Sequence, residues 1–82
     1  MKKYAFINRY DKNIGDSDLS FYAMQMYVYM VHMLANGMKN VCNEFDMVLS
    51  ISCSPDELAD ESLVNATILE LINEKWIVEV KN

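Results

Sequence analysis

A small α+β domain, three helices with a short antiparallel sheet, is what this sequence predicts, and three observations carry that expectation. The stretch from Leu19 to Ala35 is almost unbroken in apolar character and has the length of one buried helix. The runs Met47 to Ile51 and Ile77 to Val80 are short, apolar and rich in β-branched residues, as strands are. Between them lies a second helical pattern, opened by a capping sequence. The whole is 82 residues long. Chains of that size bury only about 60% of their unfolded surface and cannot support two cores, so residues 1–82 are expected to form a single domain.

Taken in order, the first element is residues 3–8, aromatic or β-branched at several positions, within a basic stretch 1–12 that reads as a strand or an extended arm. Residues 13–18, Asn-Ile-Gly-Asp-Ser-Asp, form a turn rich in N-cap types, and Asn36-Gly37 supplies a stop one helix length later. Helix one therefore spans about residues 19–35. Its polar positions Tyr22, Gln25, Tyr29, His32 and Asn36 alternate spacings of three and four, which places them on one face. The rest of the circumference is apolar, so this helix is either central to the domain or buries a second face in a partner, a homodimer through residues 19–35 being the expected form. Its methionines at 24, 26, 30 and 33 read as core filler.

Met47 to Ile51 follows as a predicted strand. Ser54-Pro55-Asp56-Glu57 then combines an N-cap Ser, Pro at the first helical position and Glu three residues after the cap, so a short helix is expected there with Leu58 and Ala59 on its inner face. A longer helix begins between Ser62 and Asn65 and runs to about Lys75, with Val64, Ile68, Leu71 and Ile72 at core spacing. Residues 77–80 close the chain as a strand whose expected antiparallel partner is residues 47–51.

Composition bounds the chemistry. Two Cys without CxxC spacing and a single His offer neither a disulfide framework nor a structural zinc site, so no metal and no cofactor are expected. Cys42 and Cys53 read as reduced thiols packed as small apolar groups. No Gly-rich phosphate loop, nucleophile elbow or HExxH run is present, and no catalytic residue is assigned: the expectation is a non-enzyme. The apolar run after Lys2 and Lys3 is too short for a secretory signal, and residues 19–35 are too short and too polar for a membrane span, so a cytoplasmic protein with no membrane partner is expected.

Charge is more informative than its net of −5. Residues 1–12 hold Lys2, Lys3, Arg9 and Lys12 against Asp11 alone, a net of +3, while the remainder holds three cations against eleven carboxylates, a net of −8. From Asn40 to Glu74 there are eight acids and no Lys or Arg. Such a block repels phosphate, the reverse of the basic footprint of a nucleic-acid reader.

Strand, short capped helix, tight turn, longer helix and strand is the order of a winged helix, whose helix pair is a helix-turn-helix. Asp56-Glu57-Leu58-Ala59, then Val64-Asn65-Ala66-Thr67-Ile68, then Glu70 to Ile77 resembles that family's Leu-Ala helix, capped Thr-Ile helix and Leu-x-x-Lys-Gly-Ile exit. Leu19-Ser20, Ala23 and Tyr27-Val28-Tyr29-Met30 are similar to the first helix of winged-helix domains in phage and plasmid replication initiators and replisome organisers. The resemblance covers residues 4–80 and implies a small winged-helix-like domain. Three departures matter: the inter-helix turn at Ser62-Leu63-Val64 has no Gly, the exit Gly is Trp76, and only a truncated wing fits before Asn82. The recognition positions Asn65, Ala66, Thr67, Leu69, Glu70 and Asn73 include no Arg or Lys.

Two functions are weighed. In the preferred one an acidic regulator or inhibitor of phage or mobile-element type binds a basic nucleic-acid-binding protein as a nucleic-acid mimic, through Asp56, Glu57, Asp60, Glu61, Glu70 and Glu74. The alternative is a DNA-binding transcription or replication regulator using Lys2, Lys3, Arg9 and Lys12 as a basic arm, with Asn65 and Thr67 as recognition residues.

Overall fold

A computed structural model describes residues 2–7, 14–35 and 41–81. Two apolar faces meet in it: a layer of helices and a three-stranded antiparallel sheet, together an α+β domain with three helices. Strand β1 (Lys3–Phe6) is followed by a 3-10 turn at Ile14–Asp16, then α1 (Phe21–Ala35), β2 (Cys42–Asn43), α2 (Glu44–Ser50), α3 (Glu61–Asn73) and β3 (Ile77–Val80). The strand order is β2-β1-β3. Lys3 pairs with Asn43 on one side and Val80 on the other, and Tyr4 with Cys42 and Glu79.

Helix α1 starts two residues later than the pattern implies because Ser20, not a residue of the upstream turn, is its cap. The Ser20 Oγ accepts the Ala23 N–H at 3.2 Å. The second half of a capping box, a carboxylate on the cap's own N–H, would come from the third helical residue, which here is Ala23. Glu70 of α3 supplies it from across the core: its Oε2 accepts the Ser20 N–H at 2.7 Å and its Oε1 accepts the Ser20 hydroxyl at 2.8 Å. Ala23, Met26 and Met30 form the inner face of α1, fully buried, with Met24 and Met33 partly so. Gln25, on the predicted polar stripe, is partly buried and its Nε2 donates to the Ser50 carbonyl at 3.1 Å, tying α1 to the end of α2. Phe21, Val28 and Val31 are exposed, Phe21 at 74%. The proposed stop at Asn36-Gly37 lies outside the described residues.

The predicted strand over residues 47–51 is instead helix α2. Its cause is a capping box centred on Asn43: the Asn43 Oδ1 accepts the Asp46 N–H at 2.9 Å, and the Asp46 Oδ2 accepts the Asn43 N–H at 3.0 Å. A short apolar run cannot by periodicity distinguish strand from buried helix, and here the cap decides. With those residues helical, β3 pairs with β1 rather than with residues 47–51. The predicted short helix at Ser54-Pro55-Asp56-Glu57 is also absent. Its first contact does form, since the Ser54 Oγ accepts the Glu57 N–H at 3.2 Å. The Ser54 carbonyl accepts the same N–H at 3.1 Å and the turn closes on itself as an isolated bridge. Leu58 is 51% exposed, so too little apolar surface is buried there to offset the cost of nucleating a helix.

Helix α3 begins one residue before the predicted window and buries Val64, Thr67, Ile68 and Leu71. It ends in a Schellman motif: the Trp76 N–H reaches the Leu71 carbonyl at 2.9 Å and the Lys75 N–H the Ile72 carbonyl at 3.0 Å. The left-handed residue such a cap requires is Lys75, at φ 63°, where glycine is usual. Trp76 is thereby turned inward, buried edge-on against Tyr27 with ring centroids 5.4 Å apart, and Tyr27 in turn meets Phe6 of β1 at 5.0 Å.

Candidate functional site

The connection from α2 to α3, residues 51–60, carries most of the predicted acidic positions. It is held without regular structure of its own. The Ser52 hydroxyl donates to the Val48 carbonyl at 2.6 Å, and its oxygen accepts the Ala59 N–H at 2.8 Å, so the segment is pinned at both ends to α2. Asp56 and Glu57 lie exposed on the Ser54 turn; Asp60 is the N-cap residue of α3, accepting the Ser62 hydroxyl at 2.5 Å, and Glu61 is the first residue of the helix. Four exposed carboxylates thus fall within six consecutive residues.

Beside this segment opens a cavity of about 450 Å³, and the periodicity of each element explains its lining. Tyr4 comes from β1 and Lys2 from just before it; Glu44 and Val48 are one turn apart on α2; Glu61, Val64, Asn65 and Ile68 follow the helical spacing of α3; Leu58 and Ala59 close the fourth side. The lining sets apolar Val48, Leu58, Val64 and Ile68 beside Glu44 and Glu61, with Lys2 as the cation among the lining residues. The Glu44 Oε1 accepts the Lys2 backbone N–H at 3.2 Å, which anchors the first residues of the chain to α2. Tyr4 is only 4% exposed, and burial, then the Glu79 and Glu44 carboxylates, push its phenol above its ordinary range, so it stays neutral.

Other predicted residues are distributed differently. Glu70 is engaged with Ser20, so it serves the fold rather than an open acidic face. Glu74 is exposed at the C-cap of α3, the opposite end of that helix from Asp60 and Glu61. Among the recognition candidates Asn65 is exposed on the cavity wall, within α3 and not at its cap. Thr67 is buried, its hydroxyl donating to the Leu63 carbonyl at 2.7 Å, and reaches no external base or phosphate. Lys3 sits in the central strand, half-buried, and Lys2 is fastened to Glu44, so neither belongs to a free arm; Arg9 and Lys12 lie outside the described residues.

Cys42 is buried as expected, whereas Cys53 is exposed, a departure from the expectation that both thiols pack inside. Among the described residues no group of three His, Cys, Asp or Glu is placed to hold a metal ion, and no helix is long and apolar enough to cross a membrane. Sequence reasoning missed Tyr4 and Glu44. The available signal was the Asn43-Glu44-Phe45-Asp46 cap, which sets where α2 begins and hence where Glu44 points. No protein-family model, curated protein or solved structure matches this chain.

Proposed function

We propose that this chain is a non-catalytic, winged-helix-like acidic regulator or inhibitor of phage or mobile-element type, acting in the cytoplasm on a basic nucleic-acid-binding protein. The observation that carries the reading is the exposed run Asp56, Glu57, Asp60 and Glu61 within a stretch, Asn40 to Glu74, that has no Lys or Arg. Such a face is a surrogate for a phosphate backbone: it attracts a cationic groove over a Debye length and repels nucleic acid. Support for the scaffold comes from the order α1, β2, α2, α3, β3, from the likeness of residues 19–30 to the first helix of replication-initiator winged helices, and from the likeness of residues 64–77 to the second helix and exit of the winged-helix family. Phe21, Val28 and Val31, exposed along α1, support self-association through that helix as part of the same reading.

The test sets DNA against a defined basic nucleic-acid-binding protein. The acidic reading expects negligible DNA binding at low salt, binding to the basic protein that an oligonucleotide displaces, and weakening of that binding when Asp56, Glu57, Asp60 and Glu61 become amides. A DNA-binding regulator would instead give log affinity falling with log salt at about −0.9 per phosphate contact. Sequence-selective DNA binding that survives moderate salt overturns the proposal.

A further inference from the structure

We infer that the cavity between β1, α2 and α3 is a receptor for an arginine side chain presented by the partner, with Tyr4, Glu44 and Glu61 in its lining. The inference rests on the acidic reading above and locates its anchoring contact.

The argument begins with Tyr4. The residue is buried, yet its hydroxyl makes no hydrogen bond to any described residue, and among the described residues no fully enclosed side-chain polar atom lacks a partner. Its oxygen is therefore not sealed off, and Tyr4 is among the residues that line the cavity. Because that oxygen is not sealed off, water meets it in the free protein, and a group entering the cavity would take that water's place. The neutral phenol offers one donor and two lone pairs. Which ligand it meets is decided by its surroundings: the Glu44 and Glu79 carboxylates are the charges that act on the phenol, and Glu61 stands on the α3 wall, so the field at the oxygen favours a cation.

Val48, half-buried, and Leu58, exposed, add accessible apolar surface beside the carboxylates, which a hydrated metal ion would not use. An arginine side chain matches both parts. Its methylenes lie along apolar surface while its planar head presents several donors to separate acceptors, and its weak hydration lowers the cost of entry. A lysine ammonium is compact and strongly hydrated and would meet fewer of the acceptors at once. At about 450 Å³ the cavity has the size of ordinary ligand sites, roughly 300–1,000 Å³, enough for the side chain and part of its backbone. Lys2 is in the lining as a competing cation.

The test titrates the intact protein with N-acetyl-arginine methylamide and, in parallel, with its neutral citrulline isostere, following backbone amide shifts. Expected are saturable shifts centred on Tyr4, Glu44, Val64, Asn65 and Ile68 with the arginine compound and none with citrulline. Tyr4→Phe, which keeps the ring and the fold, should weaken binding about three- to tenfold through the lost hydrogen bond. Glu44→Gln should weaken it, and Lys2→Gln should strengthen it. Equal shifts with citrulline, shifts spread over Asp56, Glu57 and Glu74 alone, or unchanged affinity in Tyr4→Phe would each overturn the site. Neither Tyr4 nor Glu44 belongs to the run at residues 56–61. Loss of the arginine signal with binding to the basic protein retained therefore refutes the cavity and spares the acidic reading, whereas loss of both refutes the two together.

Discussion

Replacing Glu70 by Ala removes the carboxylate that completes the cap of a helix fifty residues away in sequence. Both its oxygens are used, at 2.7 and 2.8 Å, and each bond is charge-assisted. Hydrogen bonds to charged groups contribute about 1.5–3 kcal/mol when shielded, but this pair is open to solvent, so the lower end applies. An N-cap contributes about 0.5–2 kcal/mol, and a negative charge at a helix N-terminus about 0.3–1 kcal/mol. These overlap because they describe the same groups, and the expected loss for Glu70→Ala is about 1–2 kcal/mol. In a domain of this size each kcal/mol lowers the Tm by about 4–8 °C. Urea unfolding followed by circular dichroism gives the loss directly. A cycle with Ser20→Ala isolates the pair, with an expected coupling of at least about 0.5 kcal/mol. Glu70→Gln, which retains one acceptor, should fall between. A Glu70→Ala stability within about 0.3 kcal/mol of the parent, or strict additivity with Ser20→Ala, would refute the shared cap.

Leu71→Ala, fully buried on α3, should cost about 2–5 kcal/mol, whereas Leu69→Ala, 56% exposed two residues earlier, should cost well under 1 kcal/mol; equal losses by chemical denaturation would mean that the helix is turned differently. The raised phenol of Tyr4 makes stability fall at alkaline pH: the folded state holds its proton longer than the unfolded chain, so this contribution is complete below the ordinary value of 10.0 and is lost as pH rises through the folded value. Urea midpoints from pH 8 upward should therefore decline less in Tyr4→Phe than in the parent, and parallel declines would remove Tyr4 as the cause. Sedimentation at increasing concentration should show association that Val28→Glu abolishes, Val28 being exposed on α1; a strict monomer throughout would leave α1 as an intramolecular helix only.

The α+β class, α1, α3 and β3 were legible because long periodic segments and a terminal β-branched run carry their own signal. What failed was local. Met47 to Ile51 has strand-like composition, and only the Asn43–Asp46 cap, a variant of the usual Ser/Thr and Glu pair, marks it as helix. The reverse error occurred at Ser54-Pro55-Asp56-Glu57, where a good cap forms but no buried face follows it. Asp56, Glu57, Asp60 and Glu61 could be read as an exposed acidic run from charge alone. Glu70 could not be separated from them, since its partner Ser20 is remote in sequence. Tyr4 is brought to Glu44 and Glu61 by strand and helix packing that no local pattern encodes.

The middle place in the sheet belongs to β1, which precedes both of its partner strands in the chain, and this sets the timetable of folding. β2 and β3 are each paired to β1 and not to each other, so no part of the sheet exists until β1 docks. Its longest ladder joins Lys3–Phe6 to Ile77–Val80, more than seventy residues later. At about 5–20 residues per second of synthesis, β1 waits roughly 4–15 s for β3 to be made. During that interval Tyr4 and Phe6 lie on a strand with an unpaired edge, the kind of template that invites pairing with another chain. The helices meet through shorter loops and collapse first, and closure of the sheet over them is the slow, non-local step. A nascent copy is thus most open to such pairing at β1, and the synthesis of β3 relieves it.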